Sequence, residues 1–133
     1  MKKSLYMLLA TSLFCITTGA LADNTQPTVI TELRPTQKAM QARAGWVKDM
    51  NINLTAMKYA EVATAATALA AQTDSIGKTL PNPLAKELTL KVSTAATAVA
   101  DAAGKKDGAT VKIKLAEIKA TCDECHAKIR DKK

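Results

Sequence analysis

Apolar residues recur every three or four positions along most of the chain, and no stretch sustains an alternation of period two. That periodicity predicts helices and argues against a sheet. Gly and Pro fall mainly at candidate breaks, at Pro27, Pro35, Gly77, Pro81, Pro83, Gly104 and Gly108. Four helices follow. The first is expected from about Thr31–Pro35 to about Leu54, with Leu33, Met40, Val47 and Leu54 recurring every seven residues on one stripe. Pro35 belongs in its first turn, where a missing N–H costs little. The second spans roughly Lys58 to Ile76, with Val62, Ala66, Leu69 and Ile76 facing inward, Gly77 as a C-cap and Pro81 as the stop. The third begins near Pro83 and ends near Ala103, with a stripe of Leu84, Leu88, Val92, Ala95, Val99 and Ala102, and Gly104 ends it.

The fourth predicted helix, from about Ala109 to Arg130, is the informative one. Its stripe is Val111, Leu115, Ile118, Cys122, Cys125 and Ile129, with spacings of four, three, four, three and four. Both cysteines therefore lie on the core-facing seam, and His126 flanks the same face. Four amphipathic helices with short connections predict an all-α, antiparallel four-helix bundle, a fold that places cofactors between facing helices. ATAATALAA (Ala63–Ala71) and STAATAVA (Ser93–Ala100) look alike. Small residues in two closely packed helices account for that likeness without a repeat.

The N-terminus changes the picture of where this bundle resides. Lys2 and Lys3 precede an almost unbroken apolar run from Leu5 to Ile16, and Ala20-Leu21-Ala22 offers small residues where a signal peptidase reads. This predicts a secretory signal peptide over 1–22 and a mature domain over 23–133, of 111 residues. The apolar run is short for a bilayer span, which disfavours an uncleaved anchor. Phe14 stands before Cys15 where a lipobox needs a small residue. Removal of the two lysines takes the net charge from +7 to +5. Such a surface suits docking to an acidic partner as well as plain solubility. The lysines are dispersed and aromatics scarce, so nucleic acid is not an expected partner.

With Cys15 removed, the mature chain keeps Cys122 and Cys125. They belong to the run Cys122-Asp123-Glu124-Cys125-His126, a C-x-x-C-H pattern of the kind that attaches haem c. Two thiols at this spacing add across two vinyl groups, and the adjacent imidazole reaches the iron. His126 is the sole histidine in the chain, so no other residue supplies an imidazole. A structural zinc site needs four Cys or His ligands and an iron–sulfur cluster about four cysteines, more than this domain has. A thioredoxin-like C-x-x-C starts a helix after a strand, whereas this one lies late in the last helix. A local disulfide is the structural alternative.

A helical domain ending in this motif resembles the class II c-type cytochromes, the cytochrome c-prime family. Lys119–Lys133, KATCDECHAKIRDKK, is similar to that family's last-helix ending. Thr36-Gln37-Lys38-Ala39-Met40 resembles the matching segment of its low-spin members, and Lys58-Tyr59-Ala60-Glu61 is similar to the start of its second helix. The resemblance implies that the second axial position of the iron faces the first helix. There Met40 either binds, giving a six-coordinate iron suited to electron transfer, or serves as packing, leaving a site open to a small gas such as nitric oxide. Met50 lies nearly three turns on, about 15 Å away, and Met57 falls at the junction of the first two helices. Many members of the family carry an Arg four residues before the distal side chain. Thr36 stands there instead, which leaves Arg43 and Arg34 as candidate propionate partners or as plain surface charges. Trp46 and Tyr59 are expected near the haem or at a helix interface.

The expectation is a periplasmic electron carrier, not an enzyme, since there is no second His and the acids are scattered. Its partners would be periplasmic redox proteins. The alternatives are a five-coordinate gas-binding protein and a haem protein of assembly or structure. The resemblance further implies a homodimer through the first two helices, with a monomer as the alternative.

Overall fold

The computed structural model describes residues 34–131. The expected signal peptide, its cleavage site and Leu33 lie outside the described residues. Four helices run in sequence, α1 (Pro35–Thr55), α2 (Tyr59–Thr79), α3 (Pro83–Gly104) and α4 (Gly108–Cys125), and a π-helical segment, His126–Arg130, continues α4. No strand occurs among the described residues. The three connections are three residues each, short enough to force neighbouring helices antiparallel.

Cross-helix pairings bear out that topology. Arg43 meets Gln72 and Ser93 meets the Ala70 carbonyl. The charges of Lys91 and Glu117 act on each other across α3 and α4, and those of Glu87 and Lys128 across α3 and the π-helical segment that continues α4. In each pair of helices, higher numbers on one element face lower numbers on the other. The closest-packed pair is α2 with α3. Ala65, Ala66, Ala95 and Ala96 are buried there, and small side chains permit that approach. The threonines between them point outward and return their hydroxyls to carbonyls one turn back, as Thr64 does to Ala60 and Thr94 to Leu90. The likeness of the two Ala/Thr segments is thus a packing solution.

The stripes of α2, α3 and α4 form the core as expected. Val62, Ala66 and Leu69, then Leu88, Val92, Ala95, Val99 and Ala102, then Val111, Leu115 and Ile118 are all buried, whereas Leu84 and Ile76 are half-buried. The α1 stripe needs correction. Its one fully buried residue is Met50, with Val47, Leu54 and Trp46 packed partly against the core, and Met40 is 38 % exposed. The inner line of α1 runs Arg43, Val47, Met50 and Leu54, with spacings of four, three and four.

The Gly77 expectation also changes, whereas α3 ends at Gly104 as expected. Gly77 is not a C-cap. It lies buried inside α2, which continues to Thr79 and stops at the extended Leu80 before Pro81. A Cβ on Gly77 would stand 2.8 Å from Leu90 Cδ2, so glycine is there to admit the α3 side chain. Gly104 is the last residue of α3, but the left-handed residue that closes that helix is Lys106, at φ 56°. Its N–H donates to the Ala103 carbonyl, and the Asp107 N–H donates to that of Ala102. Met57, at φ 57°, has the same left-handed backbone after α1. The N-termini follow ordinary chemistry. Pro35 and Pro83 occupy first-turn positions, and Asn82 and Asp107 cap α3 and α4 by accepting from the Ala85 and Thr110 amides.

Candidate functional site

The seam of α4 carries Val111, Leu115 and Ile118 into the core and then reaches Cys122 and Cys125, which are half-buried and free of any disulfide. His126 follows at the point where the α-helix widens into the π-helical segment. The Asp131 amide donates five residues back to the His126 carbonyl at 3.0 Å. Such π turns recur at functional sites, because the widened backbone re-aims the side chains around it.

These three residues face a cavity of about 440 Å³, within the range of about 300–1,000 Å³ usual for cofactor sites. Its floor is apolar, from Val47, Leu69, Leu88 and Val92. Met40 and Arg43 of α1 form the facing wall, and Lys48 and Lys119 stand at its edge. Met40, Arg43, Cys122, Cys125 and His126, from opposite ends of the sequence, thus border one space. Arg34 does not. It is exposed at the N-cap of α1, where its backbone N–H donates to Gln37 Oε1. Met50 is in the core, and Met57 is 75 % exposed in the α1–α2 connection.

Arg43 is the polar feature of the inner α1 line. Its Nε donates to Gln72 Oε1 at 2.9 Å, and its Nη1 lies 4.0 Å from Met40 Sδ. Burial lowers the affinity of the guanidinium for its proton, and the nearby sulfurs of Cys122 and Cys125 act the opposite way. Burial likewise pushes the Cys122 thiol up, while the Arg43 charge pulls it down. The two walls therefore sense each other electrostatically across the cavity.

The aromatic side chains of the described residues, Trp46 and Tyr59, lie elsewhere. Trp46 borders a separate groove with Asp49, Asn53 and Glu61. Tyr59 is close to Gly108, where a Cβ would meet its hydroxyl at 2.9 Å. Gly108 starts α4, seventeen residues before Cys125, or about 25 Å along the helix. Both aromatics serve helix interfaces and neither borders the cavity. Asp123 and Glu124 pair along the helix with Lys119 and Lys128, away from the apolar floor.

Gln72 was not found by sequence reasoning. The available signal was a polar residue one turn after Leu69 on the inner side of α2, where an apolar one would be expected. Among the described residues, no cluster of three or more His, Cys, Asp or Glu side chains converges on a point that would hold a bare metal ion. The cavity instead offers two nucleophilic thiols, one imidazole, one thioether and one guanidinium around apolar walls. That set suits a large, flat, mainly apolar cofactor that brings most of its own metal donors and is anchored through sulfur. No protein-family model, curated protein or solved structure matched the chain.

Proposed function

We propose that the chain is an exported electron carrier of the cytochrome c-prime type, with one covalent haem c in the cavity between α1 and α4. Cys122 and Cys125 would be the thioether anchors, and His126 and Met40 the iron ligands. The observation that carries the proposal is the convergence of the C-x-x-C-H residues with Met40 and Arg43 on one apolar cavity of about 440 Å³.

The residues fit the group. Each thiol would add its sulfur to one carbon of a vinyl double bond and its hydrogen to the other, a redox-neutral addition that requires reduced cysteines. Both cysteines are free. When bound, the haem would supply reversible one-electron Fe(II)/Fe(III) chemistry. Val47, Leu69, Leu88 and Val92 would exclude water from it, which favours small reorganisation. Arg43 would face a propionate. Lys48, at the cavity edge, would assist encounter with an acidic redox partner. No helix among the described residues is long and apolar enough to cross a membrane, in keeping with a mature protein released into the periplasm after cleavage at Ala22. The outer face of α2 carries Ala60, Thr64, Thr67 and Ala71, all exposed, and these small side chains would allow the close approach of the homodimer that the family resemblance implies.

Absorption spectra of the oxidised and reduced protein, before and after addition of carbon monoxide, test the proposal. The expected result is a haem that acid–acetone does not extract, a methionine-to-ferric charge-transfer band, and a reduced spectrum indifferent to the gas. Met40→Ala should turn this into a high-spin spectrum that responds to carbon monoxide. An extractable haem would refute the thioether assignment, and an unchanged low-spin spectrum in Met40→Ala would refute the second ligand.

One observation favours the gas-binding alternative. Met40 is 38 % exposed, unlike the fully buried Met50, so its thioether is less firmly held against displacement. A native protein already high-spin and open to carbon monoxide would select that alternative.

A further inference from the structure

What holds Arg43 on the cavity wall comes from a different helix. Arg43 Nε donates to Gln72 Oε1 at 2.9 Å, in a partly buried contact between residues 29 apart in sequence. Gln72 is not itself on the cavity wall; Leu69, one turn earlier in α2, is. The guanidinium is a planar fork with five donors. Engaging Nε, the donor nearest the stem, fixes the plane of the fork and leaves the two terminal nitrogens available. Nη1 is the one that lies 4.0 Å from Met40 Sδ. A long arginine side chain beside a cavity edge has several outward rotamers, and the α2 acceptor selects against them.

We infer that Gln72 is a positioning residue, holding the Arg43 guanidinium against the cavity beside Met40 so that its positive charge bears on the group bound there. This inference rests on the haem proposal above. A fixed cation beside a redox centre disfavours the more positive oxidised state and so raises the reduction potential. The sign is the same if Arg43 pairs with a cofactor carboxylate, because neutralising that carboxylate removes a stabiliser of the oxidised state. A neutral amide suits the task. Gln72 orients the cation without cancelling its charge, whereas a carboxylate at that position would do both.

The test is the midpoint potential of the haem-loaded protein, measured spectroelectrochemically at fixed low ionic strength. The variants are Arg43→Leu, Gln72→Leu, Gln72→Glu and the double variant of Arg43→Leu with Gln72→Leu. Gln72→Met, which keeps the side-chain length without the acceptor, replaces Gln72→Leu if the latter does not fold. Arg43→Leu should lower the potential most, and Gln72→Leu should lower it by a smaller amount. Gln72→Leu should add no further shift in the Arg43→Leu background, and Gln72→Glu should also lower the potential. An unchanged potential in haem-bearing Gln72→Leu overturns the inference, as does an equal shift in both backgrounds, the signature of a merely structural residue. Failure of the haem proposal itself would be seen first, as a wild-type protein without covalent haem, and the inference would fall with it.

Discussion

Two methionines of α1 should respond in opposite ways to the same substitution. Met50 is fully buried within the core cluster, beside Val62, Leu69 and Ile118, whereas Met40 is 38 % exposed at the cavity wall. Met50→Ala removes three side-chain atoms from a close-packed interior. At about 0.8 kcal/mol for each methylene-sized group, the transfer contribution is about 2.4 kcal/mol. The cavity left behind raises the total to about 3 kcal/mol or more, within the range of about 2–5 kcal/mol seen for such truncations. For a domain of this size, a loss of about 3 kcal/mol lowers the melting temperature by about 12–24 °C. Met40→Ala should cost under about 1 kcal/mol by packing alone, as partly exposed positions do. The assay is urea denaturation followed by far-ultraviolet circular dichroism, with the visible spectrum of the native baseline recorded on the same samples. Met50→Ala should shift the midpoint strongly; if the protein carries the haem proposed above, Met50→Ala should leave the native visible spectrum unchanged and Met40→Ala should change it. A Met50→Ala protein within about 0.5 kcal/mol of wild type would refute the core assignment. A high-spin native spectrum in Met50→Ala but not in Met40→Ala would show that the roles are exchanged.

Gly77→Ala should destabilise although alanine is the better helix former. The new Cβ would lie 2.8 Å from Leu90 Cδ2 and 3.0 Å from its Cγ. Overpacking of about 1–3 kcal/mol then outweighs a propensity gain of about 1 kcal/mol; a raised melting temperature would contradict the close α2–α3 approach. Met57→Gly should stabilise by up to about 1 kcal/mol in the same melt, because Met57 sits at φ 57° with its side chain 75 % exposed, and a neutral or destabilising result would show that no strain is stored there. Asp107 is held below the usual carboxylate range by hydrogen bonds from the Thr110 hydroxyl and amide. A depressed folded value means that its stabilisation is present above the unfolded value, near pH 4, and is lost as the pH falls through the folded one. Denaturation midpoints of wild type and Asp107→Asn should therefore differ at pH 7 and converge in acid; a constant gap would assign the stabilisation to something other than ionisation.

The sequence pattern was most legible where apolar and small side chains alone line the inner face of a helix. On α2, α3 and α4 the recurring Val, Leu, Ile and Ala positions became the buried positions, because no charged side chain interrupts those inner lines. On α1 a seven-residue recurrence led through Met40, Val47 and Leu54 and missed Met50. The true inner line includes Arg43, and a charged residue hides an apolar stripe from any reading based on hydrophobicity. Glycine was ambiguous for a related reason. Gly77 looks like a helix terminator, but it is an interface residue whose role depends on Leu90, thirteen positions away in sequence. The left-handed turns fell instead to Met57 and Lys106, which no composition rule selects. The chemical motif was legible because thiol and imidazole spacing is local. Gln72 was not, because its contact with Arg43 spans 29 positions. The widening of the backbone after Cys125 has no evident signal in the residues themselves.

The division of α1 explains why the cavity lies where it does. Its C-terminal half, through Met50 and Leu54, closes the core against α2 and α4. One to three turns earlier, α2 and α3 still present Leu69, Leu88 and Val92 inward, but α1 answers them with Val47, small Ala44, outward-leaning Met40 and a tethered Arg43. Large aliphatic side chains there would bury apolar area at about 25 cal/mol per Å² and close the space. The chain forgoes that stabilisation at the one level of the bundle where Cys122, Cys125 and His126 approach α1. Departures from close packing that coincide with nucleophilic and metal-binding side chains are expected at functional sites, where local consistency is given up for a bound group. The N-terminal turns of α1 are mostly exposed, and Arg43–Gln72 ties the helix to α2. A group that fills the cavity would add contacts to this part of α1, so its binding would stabilise the folded state by mass action.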